Sequence, residues 1–227
     1  MSVRIRVFPV VMLGSSANPP PPPPPPNPPP PPPPPAGVCC LAAGSKVLMA
    51  DGNRKAIEDI EPGDQVIGLR GRAVVKAVHH TALGPDRTMM TLANPCGQQL
   101  RISDDHDLWC QSETGEGWGT FNPQWWAWEA DVEGTHDVPA FDLRDKPDVL
   151  LATESGFMRI VPDFEERPDV HEIIWSLELE SGGSFIADGY MVIGSNCSKA
   201  DIEGVTWKGL QFWQADFSGP APTICSD

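Results

Sequence analysis

Cys40-Leu41-Ala42-Ala43-Gly44-Ser45-Lys46-Val47-Leu48-Met49-Ala50-Asp51-Gly52-Asn53 is the stretch whose reading decides the fold. A cysteine opens it, a glycine breaks it, and a short apolar run, Val47-Leu48-Met49, ends at an Asp-Gly turn signal. Apolar runs of this length between such punctuation read as strands joined by hairpins. The same grammar continues with Gln65-Val66-Ile67 and then at residues 73–78, 88–92, 99–102, 108–110, 173–179, 185–187 and 190–193. No long stretch repeats its apolar residues at a 3.6-residue spacing, so the folded part is expected to be mainly β.

Tryptophans 118, 125, 126 and 128 interrupt this pattern. Such bulk is expected to fill a core or seal two sheets together rather than to stack on a ligand. Beyond Gly194 a period of five emerges. Ser195, Ala200, Val205, Leu210 and Ala215 hold one position, and Cys197, Ile202, Trp207, Phe212 and Phe217 hold the next but one. Alternating small and large residues at that spacing resemble a short pentapeptide-like repeat, whose units bury a face only by stacking.

Upstream of Cys40 the chain has a different character. Residues 19–35 are all proline except Asn27, so absent amide donors and a fixed φ impose an extended polyproline II rod, a stiff arm without a core of its own. It is read as a spacer, with docking of a proline-recognition domain as the other use. Arg4 and Arg6, the apolar residues 7–13 and Ser15-Ser16-Ala17 loosely imitate a signal peptide, but Pro9 interrupts them; the cytoplasm is favoured and the compartment stays open. No run reaches the length of a membrane span. The organisation expected is an arm over 1–38, a folded domain over 39–196 and a tail over 197–227.

The chain carries 16 basic and 31 acidic residues, a net charge of −15, which leaves no phosphate-binding surface and excludes nucleic acid as the expected partner. Cysteines 39, 40, 96, 110, 197 and 225 contain no C-x-x-C pair. Neither a zinc knuckle nor a dense disulfide framework is indicated, and no metal or organic cofactor is expected.

Three separated segments carry a family likeness. The first joins Cys40 and Gly44-Ser45-Lys46-Val47 to Asp51-Gly52, Ile57-Glu58-Asp59-Ile60 and Pro62-Gly63-Asp64-Gln65-Val66. The second is Leu100-Arg101-Ile102-Ser103-Asp104-Asp105-His106. The third is Trp175-Ser176-Leu177-Glu178-Leu179 with Phe185-Ile186-Ala187-Asp188-Gly189. Together they resemble the Hint family, the fold shared by inteins, bacterial intein-like domains and the autoprocessing part of hedgehog proteins. Serine replaces the family's threonine at 45 and at 103. The resemblance implies a Hint-type horseshoe of strands and hairpins, preceded by the disordered proline-rich arm, with the chain's own flanking segments as substrate.

It also implies a chemistry. A thiol can attack the carbonyl that precedes its own nitrogen, because thiolate is a strong nucleophile near neutral pH. That is an N-to-S shift at the bond between Cys39 and Cys40, giving a thioester and N-terminal cleavage. An amide leaves only once its nitrogen is protonated, and imidazole is suited to that task. By resemblance His106 supplies the proton, while Ser103 orients it or polarises the scissile peptide. Asn196 and Cys197 would supply a terminal asparagine and a following nucleophile, so splicing or C-terminal cleavage is the lesser expectation.

This chain departs from the family on that C-terminal side. Ser195 stands where a histidine usually precedes the asparagine, Gly183 replaces another usual histidine, and Ser176 replaces the usual aspartate. Asn196 follows Gly189 by seven residues, where about five is common. A slip of two keeps strand facing but moves the end by roughly 6–7 Å. His79, His80, His136 and His171 fall outside the matched blocks and read as structural.

The activity expected is single-turnover, cysteine-dependent autoproteolysis rather than multiple-turnover catalysis. The alternative is a catalytically degenerate Hint scaffold that acts as a protein-interaction module through its polyproline arm. A conventional cysteine hydrolase comes third, since no substrate pocket can be read.

Overall fold

The computed structural model describes residues 40–113, 115–123, 141–144, 150–195, 197, 201 and 204–209. The chain divides into two units, Met1–Pro33 and Pro34–Asp227, and the described residues all belong to the second. The polyproline run, Cys39, Asn196, His136, Trp125, Trp126, Trp128 and most of the five-residue period lie outside the described residues.

The described part is mainly β, as its short apolar runs require. In chain order the strands are β1 (Leu41–Ala42), β2 (Lys46–Leu48), β3 (Arg54–Ala56), β4 (Gln65–Gly68), β5 (Gly71–Ala82), β6 (Met89–Ala93), β7 (Gln99–Ser103) and β8 (Leu108–Ser112). There follow β9 (Gly115–Thr120), β10 (Phe141–Asp142), β11 (Leu150–Thr153), β12 (Gly156–Met158), β13 (Val161–Phe164), β14 (Ile173–Leu179), β15 (Ser184–Ala187) and β16 (Tyr190–Ile193). One sheet runs β13-β6-β7-β1-β14-β5-β4, and the other runs β10-β9-β8-β11-β16-β15-β2-β3 with β12 beside β11. No helix among the described residues is long and apolar enough to cross a membrane.

Alternation along the strands decides what is buried where, because successive side chains point to opposite faces. On β15 and β16, Phe185, Ala187, Tyr190 and Val192 join a cluster with Leu41, Leu92, Ile102 and Leu177 of the other sheet. Their neighbours Ile186, Met191 and Ile193 join a second cluster with Leu48, Trp109 and Trp118. Both faces are therefore covered, which accounts for the unbroken apolar spelling of these strands. Full burial of each large side chain is worth about 1.5–3 kcal/mol.

The turn between them has two residues, Asp188 and Gly189, with φ of 47° and 87°, closing on the pair Ala187 and Tyr190. Positive φ at both positions suits an Asp-Gly hairpin turn and few other pairs. Asp188 Oδ1 accepts from the Lys46 amide at 3.1 Å, so this turn also fastens β2.

The opening motif proves to be turn chemistry. Glu58 lies in a 3-10 turn, Ile57–Asp59, and its Oε2 accepts from the Gly44 amide at 2.7 Å. Asp51 accepts from the Asn53 amide at 2.9 Å, and Asp64 holds Lys55 Nζ at 2.7 Å. These bonds fix the path that the chain takes as it leaves β1.

Candidate self-processing site

Cys40 stands at the mouth of β1, fully buried, beside Ala42, Leu83, Met89 and Ile174. It carries a thiol, as do Cys110 and Cys197, whereas Cys96 is disulfide-bonded. Its position follows from pairing on two sides. Leu41 lies opposite Trp175 of β14 and opposite Ile102 of β7.

Carried one residue further, both registers set Cys40 between Ser103 and Ser176. Ser103 holds the Cys40 carbonyl twice, its amide donating at 3.0 Å and its hydroxyl at 3.1 Å. The grip falls on the carbonyl of Cys40 itself. Ser103 thus anchors the backbone of Cys40.

His106 sits on the same turn, its amide donating to the Ser103 carbonyl at 3.1 Å and its side chain fully buried. That turn is fastened from several directions. Thr88 and Asp104 exchange two bonds, amide to carbonyl at 3.0 Å and amide to carboxylate at 3.2 Å. Asn122 donates to Asp104 at 3.1 Å. Asp105 is buried 3.5 Å from the Arg87 guanidinium, and Arg87 is itself held by the carbonyls of Leu83 at 2.7 Å and Ala82 at 2.9 Å. Burial pushes the Asp105 carboxyl up, opposed by Arg87 and by a hydrogen bond from Ser103. Ser103 has one hydroxyl proton, so the bond to Asp105 and the bond to the Cys40 carbonyl draw on the same donor.

Sequence reading passed over Arg87, Asp104 and Asp105. The two aspartates look like ordinary turn residues, and Arg87 belongs to the connection between β5 and β6. A run of two acids directly before a histidine was the available signal.

Cys197 lies elsewhere. It belongs to the cluster of Leu48, Trp109, Trp118 and Trp207, not to that of Cys40. Burial, and then the charge of Asp201, push its thiol up to about 12, so it is no ready nucleophile at neutral pH. Its seat is the notch at Gly183, where an added Cβ would stand 2.5 Å from its sulfur and 2.7 Å from its Cα.

Gly183 also has φ of 51°, and its carbonyl accepts from the Gly194 amide at 2.7 Å. Any side chain at 183 would collide with Cys197. Gly183→Ala is accordingly expected to cost about 2–3 kcal/mol, from left-handed strain and overpacking. In a Cys197→Gly background the contacts with the sulfur and Cβ disappear while that with the Cα at 2.7 Å remains, so the cost should fall yet stay above the strain alone, about 1–2 kcal/mol. Denaturant titration of the four variants measures the coupling.

The chain before Asn196 returns to β14: the Ser195 amide donates to the Leu177 carbonyl at 2.9 Å. Both ends of the motif-framed segment, Cys40 and Ser195, therefore abut one strand. The remaining predicted residues, Cys39 and Asn196, lie outside the described residues.

No family model matches this chain, and no curated protein matches it. Among solved structures it is similar to a DnaB intein from Synechocystis sp. PCC 6803, with 16% identity, 70% of this chain and 99% of that one covered, and a TM-score of 0.49. A triply substituted variant of the gp41-1 intein gives 17% identity, 69% and 100% coverage and a TM-score of 0.47. A bacterial intein-like domain from Clostridium thermocellum gives 15%, 69% and 99%, and 0.47.

Proposed function

We propose that this chain is a self-processing, intein-like Hint domain that acts once, on its own backbone. The Cys40 sulfur attacks the carbonyl carbon of Cys39 as its proton passes to His106. His106 protonates the Cys40 nitrogen, the C–N bond breaks, and the acyl group remains on sulfur as a thioester. Water or another nucleophile then releases the N-terminal segment.

The observation that supports this reading best is the double grip of Ser103 on the Cys40 carbonyl, with His106 on the same fastened turn. A nucleophile whose backbone is held on both edges loses little freedom on reaching its target, and such positioning is a large part of what catalysis requires. Asn196 and Cys197 would carry the second half. We assign less of the function to them, because the Cys197 thiol is sequestered against Gly183.

That sequestration favours a second reading, a Hint scaffold that binds without cutting, with residues 19–35 recruiting a proline-recognition domain. Intact mass of the purified full chain, with and without hydroxylamine, separates the two. Fragments meeting after Cys39, increased by hydroxylamine, are expected from self-processing. A chain that stays whole in both conditions sinks that reading and leaves the scaffold.

A further inference from the structure

Cys96 is disulfide-bonded, and its partner follows by elimination. The chain has six cysteines, at 39, 40, 96, 110, 197 and 225. Cys40, Cys110 and Cys197 keep their thiols, which leaves Cys39 and Cys225. Cys39 is out of reach. The Cys40 carbonyl is bonded to the Ser103 amide at 3.0 Å, at the end of β7 far from Cys96. The steps from Ser103 back to Gln99 cover about 13 Å, and Cys96 lies beyond them in the turn that joins β6 to β7. Cys39 is one residue, about 3.8 Å, from Cys40, whereas a disulfide needs Cα atoms within about 7 Å of each other.

The downstream segment is delivered beside the turn that holds Cys96. At Gly209 an added Cβ would stand 3.1 Å from the Glu154 carbonyl oxygen and 3.2 Å from the Gly156 nitrogen, so the segment lies on the turn between β11 and β12. The Glu154 amide donates to the Gly189 carbonyl at 2.9 Å. At Gly189 an added Cβ would stand 2.4 Å from the Gln98 side chain. Gln98 closes the turn around Cys96: its amide donates to Asn94 Oδ1 at 3.0 Å, and its Oε1 accepts from Asn94 Nδ2 at 2.7 Å. A continuous line of contacts therefore joins Gly209 to the turn of Cys96. Sixteen residues lead from Gly209 to Cys225, enough to span about 50 Å. Cys96 is half-buried and so within reach of thiol exchange, whereas Cys110 and Cys197 are buried.

We infer that Cys96 and Cys225 form a disulfide that clasps the C-terminal segment to the turn between β6 and β7. It forms by exchange with a small-molecule disulfide of the glutathione class. The thiolate of one cysteine attacks that disulfide and displaces one small thiol, and the thiolate of the other attacks the mixed disulfide and displaces the second. The two protein thiols lose two electrons and two protons, and the two small thiols carry them away. The bridge persists in oxidising surroundings and opens in reducing ones. Its consequence, unlike the bridge itself, rests on the self-processing reading. Scission after Cys39 frees the N-terminal segment in either redox state, because that segment lies outside the loop from 96 to 225. A break after Asn196 falls inside the loop, so the downstream segment stays covalently attached until a thiol reductant opens the bridge. Redox conditions thus decide which flank the domain lets go, and the non-covalent seat of that segment is tested with reductant present.

Tryptic mapping of the full chain, equilibrated with oxidised glutathione, alkylated and kept non-reduced, tests the bridge without requiring scission. Cleavage after lysine and arginine places Cys39 and Cys40 on residues 7–46, Cys96 on 88–101 and Cys225 on 209–227. Peptide 88–101 is expected to be joined to 209–227 and to part from it on reduction. The joined pair should persist in Cys39→Ser and vanish in Cys225→Ser, where Cys96 should instead carry glutathione or the alkylating group. Peptide 88–101 joined to 7–46, or carrying glutathione or the alkylating group in the unaltered chain, overturns the clasp whether or not the chain cuts itself. A chain that yields the joined pair but is never cut overturns self-processing and leaves the clasp standing.

Discussion

Cys40→Ala is expected to leave the chain whole under every condition that cuts the unaltered protein, including hydroxylamine, because the proposed nucleophile is gone. Burial alone would make the thiol a weak acid and an inert one. What separates it from a buried structural cysteine is its setting, with its carbonyl held by Ser103 and two hydroxyl-bearing residues as its neighbours across the sheet. Alanine fits this site without a clash and removes only the sulfur. Loss of scission should therefore come with a folding stability lowered by about 1 kcal/mol, in line with a small deletion from a core. Cys110, equally buried but with its sulfur on the Gly117 carbonyl at 3.2 Å, is the control: Cys110→Ala should cut at the ordinary rate. Should Cys40→Ala yield the same fragments as the unaltered chain, the nucleophile has been misassigned. His106→Ala, which removes the proposed proton donor and spares the thiol, should slow scission by about 10²–10⁴-fold.

Much of the fold was legible because the strands at 65–68, 99–103, 173–179, 184–187 and 190–193 spell their burial directly. The strands that escaped notice share a physical reason. Gly115 to Thr120 has three glycines and one large apolar residue, Trp118, and is a strand because β8 pairs with it residue for residue. Val161–Phe164 contains a proline, tolerated because β13 is the outer strand of its sheet. Arg54–Ala56 is charged, and it is extended because β2 recruits it. In each case tertiary pairing outweighs local preference.

The site was legible to a different degree. Cys40, Ser103 and His106 could be picked out by pattern, since a motif records which residue types recur together. The opening motif, however, mostly records turns: Glu58 on Gly44 and Asp64 on Lys55 would be needed by any chain taking this path, cutting or not. The line from Cys40 through Ser176 to His79 could not be read, because it is one of register. It exists only after β14 has paired with β1 on one edge and β5 on the other. Glu178 was visible as a motif letter, and its pairing with His79 nearly a hundred residues away was not.

Trp207→Ala is expected to destabilise the domain by about 3–5 kcal/mol, the usual cost of emptying a large aromatic site in a core. Trp207 lies eleven residues beyond Asn196, yet it is 2% exposed among Leu48, Trp109, Trp118 and Met191. Its indole N–H donates to the Thr153 carbonyl at 2.8 Å, and its amide donates to Glu116 Oε2 at 2.8 Å. The same carboxylate oxygen takes the Trp109 indole N–H at 3.0 Å, so Glu116 ties the downstream segment to β8. Asp201 adds a second tether, its carbonyl accepting from Arg70 at 2.6 Å and its carboxylate from the Gly182 amide at 2.9 Å. For a domain of this size each kcal/mol moves the melting temperature by about 2–4 °C, so Trp207→Ala should lower it by roughly 6–20 °C. Trp207→Phe keeps most of the packing and loses one hydrogen bond, and should fall by less than half as much. The prediction has a functional corollary: if the bond after Asn196 were broken, the released piece would stay seated through Trp207 and Asp201, so that fragments separate in denaturant but co-elute in native buffer. Co-elution lost in Trp207→Ala and kept in Trp207→Phe would show that the segment following Asn196 is a fitted part of this domain. A native melting temperature unmoved by Trp207→Ala would show the opposite, and the C-terminal boundary of the domain would then lie near Ile193.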